Sequence, residues 1–309
     1  MNNSLKNKKI LITGSRGFIG QNLINRFEDI GSIAIGLSHS VADSKTIKGN
    51  ILNFKSINEI IVKNKIEICI HLAGESLVEK GQSNPLDTFK VNIQGTLNIL
   101  ESSRINNLEK VIIASTTHVY GKNRLPYYEG YSPKPSRPYE TSKACVDLIA
   151  QSYADTFNLP VLIPRFVNIY GPGDSNFNRL IPRIMKAVYK DKKLKMWGGD
   201  VKRDYLYIDD AVSAYMRLAA VDNKKLEKNR IFNFGSGNVS SVREIVDKVL
   251  RNTKENIDLQ MVNEERTSEI KSQYVSFSKA KRRLSWEPKY TLDAGLKKTM
   301  KWYKAYFTT

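Results

Sequence analysis

Short apolar runs alternate with longer stretches in which apolar residues recur every third or fourth position. Lys8-Lys9-Ile10-Leu11-Ile12-Thr13 reads as a short buried strand, and the helical pattern after Gly20 runs through Asn22, Leu23 and Phe27. Ile33-Ala34-Ile35-Gly36-Leu37, Ile66 to Gly74, Val111 to Ser115 and Leu159 to Ile163 read as further strands. Between them, Phe89, Ile93, Leu97 and Leu100 recur at helical spacing and predict one long amphipathic helix over about 85–104. A second long helix runs from Tyr139 to about Phe157. Strands alternating with helices predict an α/β chain with a parallel, doubly wound sheet. After Ile163 the pattern loosens. Arg165 to Gly173 is rich in turn residues, and a helix begins around 178–182. Arg203 to Asp210 reads as a strand leading into a helix, Ile231 to Gly235 as a strand, and Val242 to Arg251 as a helix.

The chain has 309 residues, 41% of them hydrophobic, enough for a sizeable core in one large domain or two unequal lobes. It contains no apolar run of membrane-spanning length. The polar, basic start Met1 to Lys9 is followed by no secretory apolar segment. Cys69 and Cys145 fall in a strand-like and a helix-like run and lack metal-ligand spacing, so they read as core residues of a cytoplasmic protein that holds no metal. The 49 basic and 31 acidic residues give a net charge of +18. The lysines are dispersed, and no nucleic-acid module with interleaved aromatics stands out, so nucleic acid is not the expected partner. The same field suits a small polyanionic substrate.

Chemistry gathers at the ends of the predicted strands. Gly14-Ser15-Arg16-Gly17-Phe18-Ile19-Gly20 links the first strand to its helix. Glycines there let the backbone approach a pyrophosphate, and the free N–H groups of the helix start favour the anion. An acid near the end of the second strand would hold an adenosine ribose 2′-hydroxyl. None stands there. Ser38, His39 and Ser40, with Lys45, suit a 2′-phosphate instead, which tilts the expectation towards NADP(H) over NAD(H). Asn50 and Ile51 are placed to border an adenine. Leu72, Ala73 and Gly74 are small enough to let a cofactor pass along the strand ends, while His71 reads as a packed strand-end residue. The hydroxyl cluster Ser115-Thr116-Thr117 ends the next strand, where open α/β sheets hold ligands.

Tyr139 and Lys143 are four residues apart, so on a helix they share a face. An ammonium beside a phenol favours the phenolate and lowers its pKa from about 10. A phenol tuned in this way can exchange a proton with a sugar hydroxyl near neutral pH.

Gly14-x-x-Gly17-x-x-Gly20, Ser115-Thr116-Thr117-His118-Val119-Tyr120-Gly121 and Tyr139-x-x-x-Lys143, in that order, resemble an extended short-chain dehydrogenase/reductase of the nucleotide-sugar epimerase/dehydratase family. His71 to Ser76, Asn168 to Gly173, Arg203-Asp204-Tyr205 and Leu284 to Pro288 are similar to further signatures of that family. The resemblance implies a Rossmann domain over 1–165, rejoined by chain from the C-terminal half, and a smaller substrate lobe mainly over 166–309. It implies a homodimer through two long helices per subunit, about 87–104 and 139–157. It makes Tyr139 the acid/base at the sugar 4-hydroxyl, Lys143 a ligand of the nicotinamide ribose, and Thr116 the hydroxyl bonded to the 4-oxygen. Ser115 joins the cofactor side and Ser76 the substrate side. Asn168 would contact a nucleotide-diphosphate sugar, Asn178 and Arg179 would flank its diphosphate, and Arg203 and Arg266 would bind phosphate.

One motif departs from the family pattern. Dehydratases of this family resemble Ser-Thr-Asp-Glu or Ser-Asp-Lys at this strand end, where the acid helps expel water across C5–C6. Here Thr117 and His118 occupy those positions. Thr117 has no proton to give near neutral pH, whereas His118 is a candidate acid or base. The first expectation is therefore an NADPH-dependent reductase of a nucleotide-linked 4-keto-6-deoxysugar. A 4-epimerase with bound NAD and a 4,6-dehydratase using His118 are the alternatives. A non-catalytic dinucleotide or nucleic-acid binder has no use for an intact Thr116–Tyr139–Lys143 set.

Overall fold

In the computed structural model, which describes residues 4–225, 229–253, 255–262 and 270–308, strand β1 (Lys9–Thr13) runs through the middle of a parallel sheet. Helix α1 (Phe18–Asp29), strands β2 (Ile33–Ser38) and β3 (Thr46–Lys48), and helix α2 (Phe54–Asn64) follow. The chain then crosses to the other side of β1 as β4 (Ile68–His71). Helices α3 (Val78–Ser83), α4 (Pro85–Phe89) and α5 (Gly95–Ile105) lead to β5 (Lys110–Ile113) and the short β6 (Ser115–Thr116). Helix α6 (Pro138–Phe157) leads to β7 (Val161–Phe166). The C-terminal half contributes β8 (Asn168–Tyr170), α7 (Leu180–Lys186), β9 (Lys193–Trp197), β10 (Lys202–Tyr207), α8 (Ile208–Ala220), β11 (Ile231–Phe234), β12 (Val239–Ser241) and α9 (Val242–Thr253). It closes with β13 (Asp258–Val262), β14 (Ser272–Gln273), α10 (Ser278–Leu284) and α11 (Leu292–Thr308).

The main sheet has the order β11-β7-β5-β4-β1-β2-β3, with β6 also paired to β7, and every pairing is parallel. Helices cover both faces, so its strands are apolar on both sides, as buried parallel strands require. Alternate residues of one strand serve opposite faces. Ile10 and Ile12 pack with Leu23 and Phe27 of α1, while Leu11 packs with Ile57 of α2 and Ile99 and Leu100 of α5. The strand order reverses between β1 and β4. Ligands of doubly wound sheets settle in the crevice at such a point. Here it is edged by the glycine loop after β1 and by Leu72–Gly74 after β4.

One expectation needed correction. The single helix over 85–104 is interrupted by a wide π turn at Lys90–Gln94. There the Thr96 hydroxyl donates to the Asn92 carbonyl, and the Asn92 side chain spans from Glu75 to the Ser142 hydroxyl. The helix expected to begin around 178–182 starts at Leu180, with Arg179 as its N-cap. Outside the main sheet, β10 pairs with β8, β12 and β14, and β9 pairs with β13.

Candidate active site

The glycine loop is built for close approach. Gly14 sits at φ +69° and its N–H donates to Leu37 O. A Cβ on Gly20 would stand 2.4 Å from Gly14 O and 2.7 Å from Ser15 Cα, so α1 begins as near the loop as a backbone can. Above it lies a cleft of about 690 Å³ lined by Gly14, Arg16, Gly17, Phe18, Ile19, Gly20, Ser38, His39, Ser40, Asn50, Ile51, Leu72, Ala73 and Gly74. The structure thus brings together along one cleft the residues expected to meet the dinucleotide from its pyrophosphate to its adenosine. A loop that leaves no room for a Cβ, opening on the N-terminus of α1, fits a dinucleotide pyrophosphate.

Lys45 is an exception. Its ammonium pairs with Glu28 at 2.5 Å, away from the cleft. Arg16 instead brings a guanidinium to the cleft and pairs with Asp43 at 2.8 Å. Ser38 and Ser40 lie hydroxyl to hydroxyl at 3.1 Å beside His39.

A second cavity of about 570 Å³ shares Phe18, Ile19, Leu72, Gly74, Glu75, Ser76 and Arg179 with the first. Ser115, Thr116, His118, Tyr139, Lys143, Asn168, Asn178 and Arg203 also line it. Arg179 stands where the cavities meet, paired with buried Asp174 at 3.1 Å and donating to the Ser76 hydroxyl at 3.3 Å. Asn178 lies exposed at the rim, and Arg203 donates to Lys202 O. Arg266 lies outside the described residues.

The phenol differs from the expectation. Burial pushes the Tyr139 hydroxyl up to about 12, and the hydrogen bond with Thr116 and the charge of Arg179 only partly oppose it. Lys143 does not lower it. Its ammonium turns away to donate to Ala114 O at 2.6 Å. Burial lowers Lys143 to about 8, with Asp147 acting the other way. The phenol is therefore a proton donor in the free protein.

A family model for the NAD dependent epimerase/dehydratase family matches residues 10–235. The chain belongs to this family. It is an enzyme of the short-chain dehydrogenase/reductase type. The chain is 28% identical over 315 residues to UDP-glucuronate 4-epimerase of Thermodesulfobacterium geofontis, covering 95% of each chain. It is 28% identical over 325 residues to human dTDP-D-glucose 4,6-dehydratase, covering 97% of this chain and 91% of the relative. Among solved structures, dTDP-glucose 4,6-dehydratase from Bacillus anthracis in complex with NAD superposes with a TM-score of 0.84 at 27% identity, over 96% of this chain and 97% of the other. Among the described residues, no helix is long and apolar enough to cross a membrane, and no cluster of metal-ligating side chains occurs.

Thr117 is buried, whereas His118 lines the second cavity, edge-on to Tyr139 with ring centroids 6.2 Å apart. His118 Nδ1 lies 3.5 Å from Glu140 Oε1. Glu140 is fully buried. Burial alone would raise its pKa, but hydrogen bonds and charge from His118 and Arg137, with the Ser136 N–H, hold it at about 2. Glu140 went unread in the sequence, although its signal was local: it is the third residue of a helix that opens with Pro138, and it closes back on the N-cap Arg137. The Asp43 partner of Arg16 left no such local mark. His71 is a packed strand-end residue, with Nδ1 2.7 Å from the Thr13 hydroxyl and Nε2 3.2 Å from the Thr96 hydroxyl. The Thr96 proton is committed to Asn92 O, so Nε2 donates, and burial with the Lys143 charge keeps the ring from taking a second proton.

Proposed function

We propose that this enzyme reduces the 4-keto group of a nucleotide-diphosphate-linked 4-keto-6-deoxysugar, with NADPH as the preferred reductant. The observation that carries the reading is the end of β6. Thr116 and Tyr139 share a cavity wall, but the two positions after Thr116 hold no carboxylate. Ketone reduction needs a proton donor at O4, whereas elimination of water across C5–C6 needs a further acid and base.

A bound nicotinamide dinucleotide supplies the hydride. Tyr139, held protonated by burial, gives its proton to the 4-oxygen, and Thr116 donates a hydrogen bond to the same atom. Lys143 binds the nicotinamide ribose. Arg179, with Ser76, Asn178 and Arg203 around it, holds the diphosphate, because guanidinium forks match phosphate oxygens. NADPH is favoured by Arg16, Ser38, His39 and Ser40 at the ribose end of the cleft and by the lack of an acid at the end of β2.

A second reading, a 4-epimerase that retains NAD, is supported by the likeness to UDP-glucuronate 4-epimerase along 95% of the chain. The dinucleotide decides between them. The purified protein is expected to bind NADPH more tightly than NADH, to exchange it freely, and to oxidise it when given a nucleotide-linked 4-keto-6-deoxysugar. Co-purified NAD that does not exchange, together with interconversion of C4 epimers, would replace the reductase reading with the epimerase.

A further inference from the structure

Beneath the site lies a line of charge that the proposed reaction does not use. Asp147 follows Lys143 by one turn of α6 and is fully buried. Arg165 of β7, exposed by 1%, donates from Nε to Asp147 Oδ2 at 2.6 Å. Arg165 stands in register with Ser115 of β6. Its guanidinium lies 4.7 Å from the centre of the Tyr120 ring, and the Tyr120 hydroxyl donates to Asn233 Oδ1 at 2.7 Å. The pair is buried, and Asp147 stands one helical turn from Lys143.

We propose that Asp147 is a positioning residue that keeps Lys143 an ammonium, with Arg165 fixing how much of its charge Lys143 receives. The inference rests on the role given to Lys143 above. Three buried groups carry alternating charge: plus on Lys143, minus on Asp147, plus on Arg165. Burial raises Asp147, while Arg165, the Ser115 hydroxyl and Lys143 oppose the rise. Arg165 cannot shed its proton, and its contact, together with the Lys143 charge, opposes the protonation of the carboxylate that burial favours. If Asp147 becomes neutral, two buried cations remain and only Lys143 can relieve them. The other groups near the ammonium do not compensate. The Ala114 carbonyl accepts its hydrogen bond, His71 on β4 is neutral, and Tyr139 stays protonated. Glu140 is committed to Arg137 and His118.

The test reads Lys143 through dinucleotide affinity, so it needs no sugar substrate, and it can fail while the reductase reading stands. NADPH binding is titrated by fluorescence from pH 6 to 10 on the full chain. In the wild type, affinity is expected to fall as pH rises through about 8. With Asp147→Asn the fall moves down by about one pH unit or more, the effect of losing a neighbouring opposite charge. Arg165→Met, which leaves Asp147 to Lys143 alone, moves it up. The double variant Asp147→Asn with Arg165→Met falls between the two. Lys143→Met should remove the pH dependence. Overlaying profiles for wild type and Asp147→Asn, or a wild-type profile in Lys143→Met, would overturn the proposal. Should Asp147→Asn not fold, Arg165→Met still decides, because an unmoved profile refutes the coupling.

Discussion

Deleting one oxygen atom isolates the phenol. Tyr139→Phe keeps the ring in its buried place and removes the only proton it can give. Turnover of a nucleotide-linked 4-keto sugar should fall by about 10²–10⁴-fold, the usual worth of a positioned acid, while NADPH affinity holds. Undiminished turnover would remove Tyr139 from the chemistry. His71 gives a test at acid pH. The unfolded imidazole takes a proton near its ordinary 6.5, but the folded one, driven down by burial and by the Lys143 charge, refuses it until about pH 3. Between those values the unfolded chain binds more protons, so stability should fall by about 1.4 kcal/mol for each pH unit lost. Urea unfolding of wild type and His71→Gln at pH 7 and pH 4 should show a smaller acid loss in the variant. Both residues were legible as residues, Tyr139 by its spacing to Lys143 and His71 as strand-end packing. Their electrostatics were not. Spacing put the ammonium beside the phenol, but a carbonyl 29 residues upstream claims it, and the two threonines that fix His71 come from β1 and α5.

Elements carried more of the fold than single residues did. Helix α6 was readable from Tyr139 to about Phe157, and its ends are set locally by Pro138 in the first turn, Glu140 two residues on, and Asn158 in the left-handed region. The break between α4 and α5 was not, because a π turn shifts the apolar spacing by a single residue and its cause lies elsewhere, in Asn92 reaching Glu75 and Ser142. The glycine loop makes an element-level prediction. In Gly20→Ala the new methyl meets Gly14 O and the Ser15 backbone, and neither can swing aside as a flexible side chain would. Helix α1 must back away from the loop, so its N-terminus loses its aim at the pyrophosphate. Overpacking of this kind costs about 1–3 kcal/mol. Thermal unfolding should come several degrees earlier, and NADPH and NADH should weaken together by about tenfold, since the pyrophosphate is common to both. Loss of only one of them would contradict this account of the loop.

For the whole molecule, local pattern named most strands of the parallel sheet but not their order, because β7 and β11 pair residues that stand 68 apart in the sequence. Apolar periodicity also left open which surface it served. Of the four residues that marked the 85–104 stretch, Leu100 enters the core, while Phe89, Ile93 and Leu97 stay half-buried on the outside. Helices α4 and α5 pack beside α6, which exposes Leu148 at 58%, and α4 exposes Leu86 at 80%. A single exposed leucine is ordinary, but apolar residues along adjoining helices form a surface that a second copy would cover. We therefore propose that this face makes the homodimer. Leu148→Asp would place a carboxylate on this face, where burial against a second copy would cost it its hydration. Light scattering after gel filtration should give twice the chain mass for the wild type and one chain mass for the variant. Thr116, Tyr139 and Lys143 all come from one chain, so the monomeric variant should bind NADPH like the wild type. A dimer that persists in Leu148→Asp would move the interface elsewhere, and a monomer that cannot bind NADPH would mean that the pairing of α6 helices holds the catalytic helix in place.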